Sequence, residues 1–143
     1  MDAALPQFSK VLVKKYPQES DVEFTFHKIE LSDKIILNVH TNGIIDTTFD
    51  IPISSKAAIS STTNSIDSSE EGLGVEPIIL VGDSSNLKIQ IIASQIGKLI
   101  LLLANPKNLI LSIGSRWFGK GDEVKDDDFE KLMFVLANIK EIL

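Results

Sequence analysis

Asn42-Gly43 sits between two runs rich in β-branched residues, "IILNVHT" (Ile35–Thr41) and "IIDTTFDI" (Ile44–Ile51). A two-residue type I′ turn needs positive φ at both central positions, and Asn-Gly meets that need at low steric cost. The pair therefore predicts an antiparallel hairpin. Upstream, "VEFTFHKIEL" alternates at Val22, Phe24 and Phe26, then changes parity at Ile29 and Leu31. A one-residue shift sends every side chain to the opposite face, so the change predicts a bulge or bend near His27. "SDK" (Ser32–Lys34) turns the chain before the next run. Three strands in an antiparallel meander are expected over 22–51.

The second half reads differently. "PIILVG" (Pro77–Gly82) is short and fully apolar, which predicts a central strand. Asp83, Ser84, Ser85 and Asn86 offer N-caps for a helix with Leu87, Ile91 or Ile92, Ile96, Leu99 and Leu103 on its face. Gly97 weakens that helix locally or lets another backbone come close. "NPKN" breaks it, and "LILSIG" (Leu109–Gly114) is a second buried strand. A final helix starts near Asp127, with Asp127 and Glu130 as a capping box. Phe129, Leu132, Met133, Leu136, Ile139 and Leu143 line its expected face. The order implies an α+β domain, with helices packed on one mixed or antiparallel sheet.

Two stretches lack such a pattern. Residues 1–20 have helical spacing at Leu5, Phe8 and Leu12 but also suit an extended arm, and Pro6 and Pro17 limit both. Ser54–Glu76 is rich in serine and threonine and poor in apolar residues, so it cannot bury enough to offset its ordering entropy. The expectation is a single domain over 1–143 with a flexible serine-rich loop at 54–76.

Composition narrows the function. A net charge of −6 argues against nucleic acid or an anionic membrane as partner. The absence of cysteine excludes disulfides and thiolate metal sites, and favours an intracellular setting, cytoplasmic or also nuclear. The longest apolar run, "LILLLA" (Leu99–Ala104), is far short of the roughly twenty residues of a membrane helix.

"GSRWFGKG" (Gly114–Gly121) approaches the phosphate-binding pattern G-x-x-x-x-G-K-[ST]. Gly121 stands where the magnesium-binding hydroxyl belongs, and Asp122 and Glu123 would repel phosphate. A nucleotide-binding enzyme is therefore the alternative reading. The other use of this loop is contact with a protein partner through Arg116, Trp117, Phe118 and Lys120, since tryptophan and arginine dominate interface hot spots. Against that, Trp117 and Phe118 can fold back onto the core. Other chemistry is thin. His27 and His40 fall on neighbouring strands without a nucleophile signature, and "DDD" (Asp126–Asp128) lacks the spacing of a calcium loop. No catalytic, cofactor-binding or metal-binding residue is expected.

"FHKIELSDKIILNV" (Phe26–Val39), "FDIPIS" (Phe49–Ser54) and "ILVGD" (Ile79–Asp83), followed by a helix, a strand and a closing helix, resemble the small proteasome-assembly chaperones of the third and fourth type. The similarity spans Val22–Leu143 and is closer to the fungal fourth type. The serine-rich insertion sets the chain apart from the compact animal members. The resemblance implies a non-enzymatic protein with a curved, mainly antiparallel sheet and two helices, and no cofactor. It implies a heterodimer with a related small chaperone, binding α subunits of the 20S proteasome early in ring assembly and leaving before completion. A generic protein-binding adaptor of similar layered fold is the remaining alternative.

Overall fold

The computed structural model describes residues 8–53, 75–119, 121 and 123–143. In chain order it has β1 (Ser9–Tyr16), β2 (Glu19–Glu30), β3 (Lys34–Thr41), β4 (Thr47–Ile51), β5 (Ile78–Val81), α1 (Leu87–Leu101), β6 (Asn108–Ile113) and α2 (Asp128–Ile142). The strands form one open sheet in the order β1-β2-β3-β6-β4-β5, antiparallel throughout except for the β3–β6 pair. Both helices lie on one face, giving the expected α+β architecture. Residues 54–74 of the expected serine-rich loop lie outside the described residues. So do residues 1–7.

Burial on the covered face follows the two periodicities of strand and helix. Phe24 and Phe26 of β2, Ile35, Leu37 and Val39 of β3, Phe49 and Ile51 of β4, and Leu109, Leu111 and Ile113 of β6 are buried there. Above them pack Ile89, Ile92, Ala93, Ile96 and Ile100 of α1 with Val135, Ile139 and Ile142 of α2. The Asn86 side chain caps α1, its Oδ1 accepting from the Ile89 N–H at 3.1 Å. At Gly97 an added Cβ would lie 2.5 Å from Val75 Cγ1 and 3.1 Å from Ile51 Cγ2. The glycine thus admits neighbouring side chains rather than a backbone.

The expected meander does not form past β3. Asn42 and Gly43 do adopt positive φ, 61° and 72°. Yet β4 does not return beside β3; β6 runs between them. The Gly114 N–H donates to the Val39 carbonyl at 3.1 Å. An added Cβ on Gly114 would lie 2.5 Å from the Ile44 carbonyl oxygen, so the turn passes over the end of β6. The competition is one of magnitude. A turn preference is a local effect, whereas burying Leu109, Leu111 and Ile113 stabilises by about 2 kcal/mol each. A central position buries all three.

Of the two readings of the N-terminal stretch, the extended one holds for residues 9–16, which form an edge strand, β1. Three further expectations are corrected. β2 pairs with β3 without interruption from Phe24 to Glu30, so there is no bulge at His27. "PIILVG" supplies an edge strand, not a central one: Ile78, Leu80 and Val81 of β5 are exposed. The capping box is not made, since the Asp127 side chain accepts no hydrogen bond from the first turn of α2. Instead Asp128 Oδ2 accepts from the Lys125 N–H at 2.8 Å.

Without a bulge, the alternation of β2 continues through Lys28, which is 4% exposed on the covered face. Its Nζ lies 3.3 Å from Glu30 Oε1, while Lys107 Nζ binds Glu30 Oε2 at 3.0 Å. The Lys107 hydrogen bond, aided by Lys28, holds the Glu30 carboxyl below its ordinary pKa despite burial. A buried ammonium pays a desolvation cost that a single partner rarely recovers. Lys28→Met leaves Glu30 paired with Lys107. It is expected to change stability by no more than about 1 kcal/mol, and in the stabilising direction. A urea midpoint shifted downward by more than that would contradict this account of the pair.

Candidate partner-binding surface

The loop after β6 is fixed by one carboxylate. Asp46, just before β4, accepts from the Ser115 N–H and the Thr47 hydroxyl through Oδ1, both at 2.9 Å, and from the Ser115 hydroxyl through Oδ2 at 2.9 Å. Burial pushes its pKa up, but the donors of Ser115 and Thr47 outweigh this and hold it below the ordinary value. A depressed folded pKa stabilises above the unfolded carboxylate pKa, about 3.9, and that stability is lost as pH falls through the folded value. Asp46→Ala is therefore expected to cost about 2 kcal/mol at neutral pH, with the difference from the parent shrinking below about pH 4. Urea denaturation at pH 7 and pH 3 measures both; a difference independent of pH would refute the charged role.

Beyond Ser115 the chain makes a tight turn, with the Phe118 N–H donating to the Ser115 carbonyl at 3.1 Å. The expected contact residues separate here. Phe118 is 2% exposed and packs into the core, so it is not available to a partner. Trp117 is half-buried in an aromatic cluster, edge-on to Tyr16 at 4.8 Å and to Phe24 at 4.6 Å. Lys131 Nζ sits 4.7 Å above its ring. Arg116 is exposed, beside a depression of about 330 Å³ shared with Asp21, Thr41 and Asn42. Lys120 lies outside the described residues.

This geometry is the reverse of a phosphate cradle. The turn presents carbonyls to lysines: Trp117 O accepts from Lys131 Nζ at 2.7 Å, and Phe118 O from Lys88 Nζ at 3.2 Å. Gly121 packs against the Leu87 backbone nitrogen, and α2 begins only at Asp128. A phosphate loop needs backbone N–H groups converging at a helix start, and the described part of this loop does not converge its donors there. The histidines are not paired either. His27 stands opposite Asn38 and His40 opposite Thr25. His27 Nε2 is instead 3.0 Å from Ser9 Oγ. Among the described residues no group of three or more His, Asp or Glu is placed to hold a metal ion. No described helix is long and apolar enough to cross a membrane.

A surface that the sequence reading did not single out is the uncovered face of the sheet. Register places Ile29, Ile36 and Ile110 side by side across β2, β3 and β6. Beside this row, Val11 and Val13 of β1 are 61% and 49% exposed. The neighbouring row is uncharged: Val11, His27, Asn38, Ser112 and Thr48. Thr48 and Ser112 share a hydrogen bond of 3.0 Å. Asp50, next to Ile110, brings a single carboxylate to the edge of the apolar row. The signal for this face was the parity change at Ile29. It marked apolar residues on a second face, not a bulge.

Three comparisons bear on these surfaces. The sequence matches the family model of 20S proteasome chaperone assembly proteins 3 and 4 over residues 1–140. No curated protein sequence matches. Among solved structures, a chain from the crystal structure of a novel chaperone complex for yeast 20S proteasome assembly superimposes with a TM-score of 0.67. It is 24% identical, and the match covers 94% of this chain and 98% of that one. At that identity the likeness is one of fold.

Proposed function

Because the chain belongs to the family of 20S proteasome chaperone assembly proteins 3 and 4, we propose that it acts as half of a heterodimer with a related small chaperone. The pair holds α subunits of the 20S proteasome during early α-ring assembly and leaves before the particle is complete. The observation that carries the pairing is the uncovered sheet face with its row Ile29, Ile36 and Ile110. Interface cores are depleted in charge and well packed, and a sheet face with an apolar row at its centre stacks on another sheet at about 10 Å. A second chain of the same fold offers the matching surface. No catalytic step is needed for this role. Binding favours the assembly intermediate, and a later subunit that overlaps the bound surface displaces the pair. Arg116, exposed on the clamped loop, is the retained candidate for client contact.

The test is affinity purification of the tagged chain from its native cell extract, with mass spectrometry of what accompanies it. Recovery of a second small chaperone with early α subunits, and few mature particles, is expected. Recovery of the tagged chain alone, or with only mature particles, would overturn the role.

A further inference from the structure

The helical layer carries an apolar groove that the core and the sheet face leave unused. It has a volume of about 460 Å³, with Leu87 and Ile91 of α1 on one wall and Phe129 and Leu132 of α2 on the other. Leu87, Ile91 and Phe129 are 59%, 58% and 69% exposed. Phe129 also borders a second depression of about 390 Å³ with Pro17 and Met133, so apolar surface continues along α2. Lone exposed apolar residues are ordinary, but a contiguous patch with a polar rim marks a binding site.

The rim decides what fits. Lys88 and Lys131 are turned inward, their side chains 12% and 13% exposed: Lys88 binds Asp128 and the Phe118 carbonyl, and Lys131 binds the Trp117 carbonyl and lies 3.8 Å from Asp127. The charges left facing solvent are Glu123 and Asp126 at the groove and Glu130 beside the second depression, against Lys125, which lies 3.9 Å from Glu123. The two helix N-termini offset roughly half a charge each, which leaves the described rim acidic. We propose that this groove docks a basic amphipathic helix of a partner protein. Its apolar ridge, spaced i, i+3/i+4, lies between Ile91 and Phe129, and its flanking lysines or arginines face the rim carboxylates. Such a rim repels an anionic membrane surface. The groove is on the opposite side of the sheet from the Ile29–Ile36–Ile110 row, so the inference does not depend on sheet-face pairing.

The test titrates the isotope-labelled full chain with a synthetic leucine–lysine amphipathic helix, and with its leucine–glutamate counterpart, at physiological salt. Chemical-shift changes are expected to cluster at Leu87, Ile91, Phe129 and Leu132, with the glutamate peptide at least about tenfold weaker. The double variant Ile91→Ser/Phe129→Ser keeps the charge unchanged and alters only exposed positions. It should lose about tenfold or more in affinity for the lysine peptide. Leu87→Ser supplies a second variant should the double one fail to fold. Unchanged affinity in the folded variant, equal binding of both peptides, or shifts centred on Ile29 and Ile36 would each overturn the proposal.

Discussion

Phe24→Ala is expected to cost about 4 kcal/mol, a large part of the 5–15 kcal/mol that a domain commonly has. Phe24 is 1% exposed. Its ring meets Phe26 at 5.8 Å, Phe134 of α2 at 5.6 Å and Trp117 at 4.6 Å. It therefore joins the sheet, the last helix and the clamped loop at one point. Truncation removes apolar burial, leaves a cavity between elements that cannot all close on it, and deletes two edge-to-face contacts, with Trp117 and Phe134. Trp117 is the only tryptophan, so its emission reports on this cluster alone. Urea denaturation followed by that emission should show a lowered midpoint and a red-shifted folded baseline. A cost below about 2 kcal/mol would mean that the loop and α2 do not meet at Phe24.

Ile36→Asp is expected to act in the opposite sense, sparing the chain and abolishing the proposed pairing. Ile36 is central on the uncovered sheet face and only partly buried within the single chain. An aspartate there still reaches water, so the isolated chain should lose only about 1 kcal/mol, from strand preference and lost contact with Ile29 and Ile110. In a stacked pair of sheets the same carboxylate would be desolvated without a partner. That should weaken association by at least about 3 kcal/mol, or more than about a hundredfold. Co-purification with the proposed partner chaperone and calorimetric titration measure the loss. Normal pairing by a folded Ile36→Asp chain would place the dimer contact elsewhere.

Much of the fold was legible where pattern and position coincide. The β2–β3 hairpin, α1 with its cap in 83–86, β6, and the start of α2 near Asp127 all stand close to where the sequence puts them. The errors share a physical cause. Periodicity reports which residues are apolar, not what covers them. The spacing puts Leu87, and Ile91 or Ile92, on the core face of α1, and Phe129 and Met133 on that of α2; Ile92 is buried, while Leu87, Ile91, Phe129 and Met133 are exposed. The buried stripes are rotated away, through Ile89, Ile92 and Ile96, and through Val135, Ile139 and Ile142. "PIILVG" looked central because it is uncharged, and it lies at an edge. The parity change at Ile29 looked like a bulge because a single buried face was assumed. In each case the chain carries more apolar surface than one core absorbs. The candidate loop was legible in composition only. Its inward turn depends on Asp46, distant in sequence, and on Lys88 and Lys131 reaching its carbonyls.

The place of β6 in the sheet has a consequence for how the chain is made. Lys34 pairs with Asn108, about half the chain away, and Ile51 pairs with Leu109. Synthesis delivers β1, β2 and β3 as one local unit, then β4 and β5 as another, and neither can close on the other until residues 108–113 have left the ribosome. Until then the inner edges of β3 and β4 expose unpaired backbone, a template for association with other nascent chains. Loop closure over that separation precedes any reward from pairing, which slows folding. The sheet is thus sealed last at its centre, and for most of its synthesis a protein placed here among assembly factors is itself an incomplete assembly.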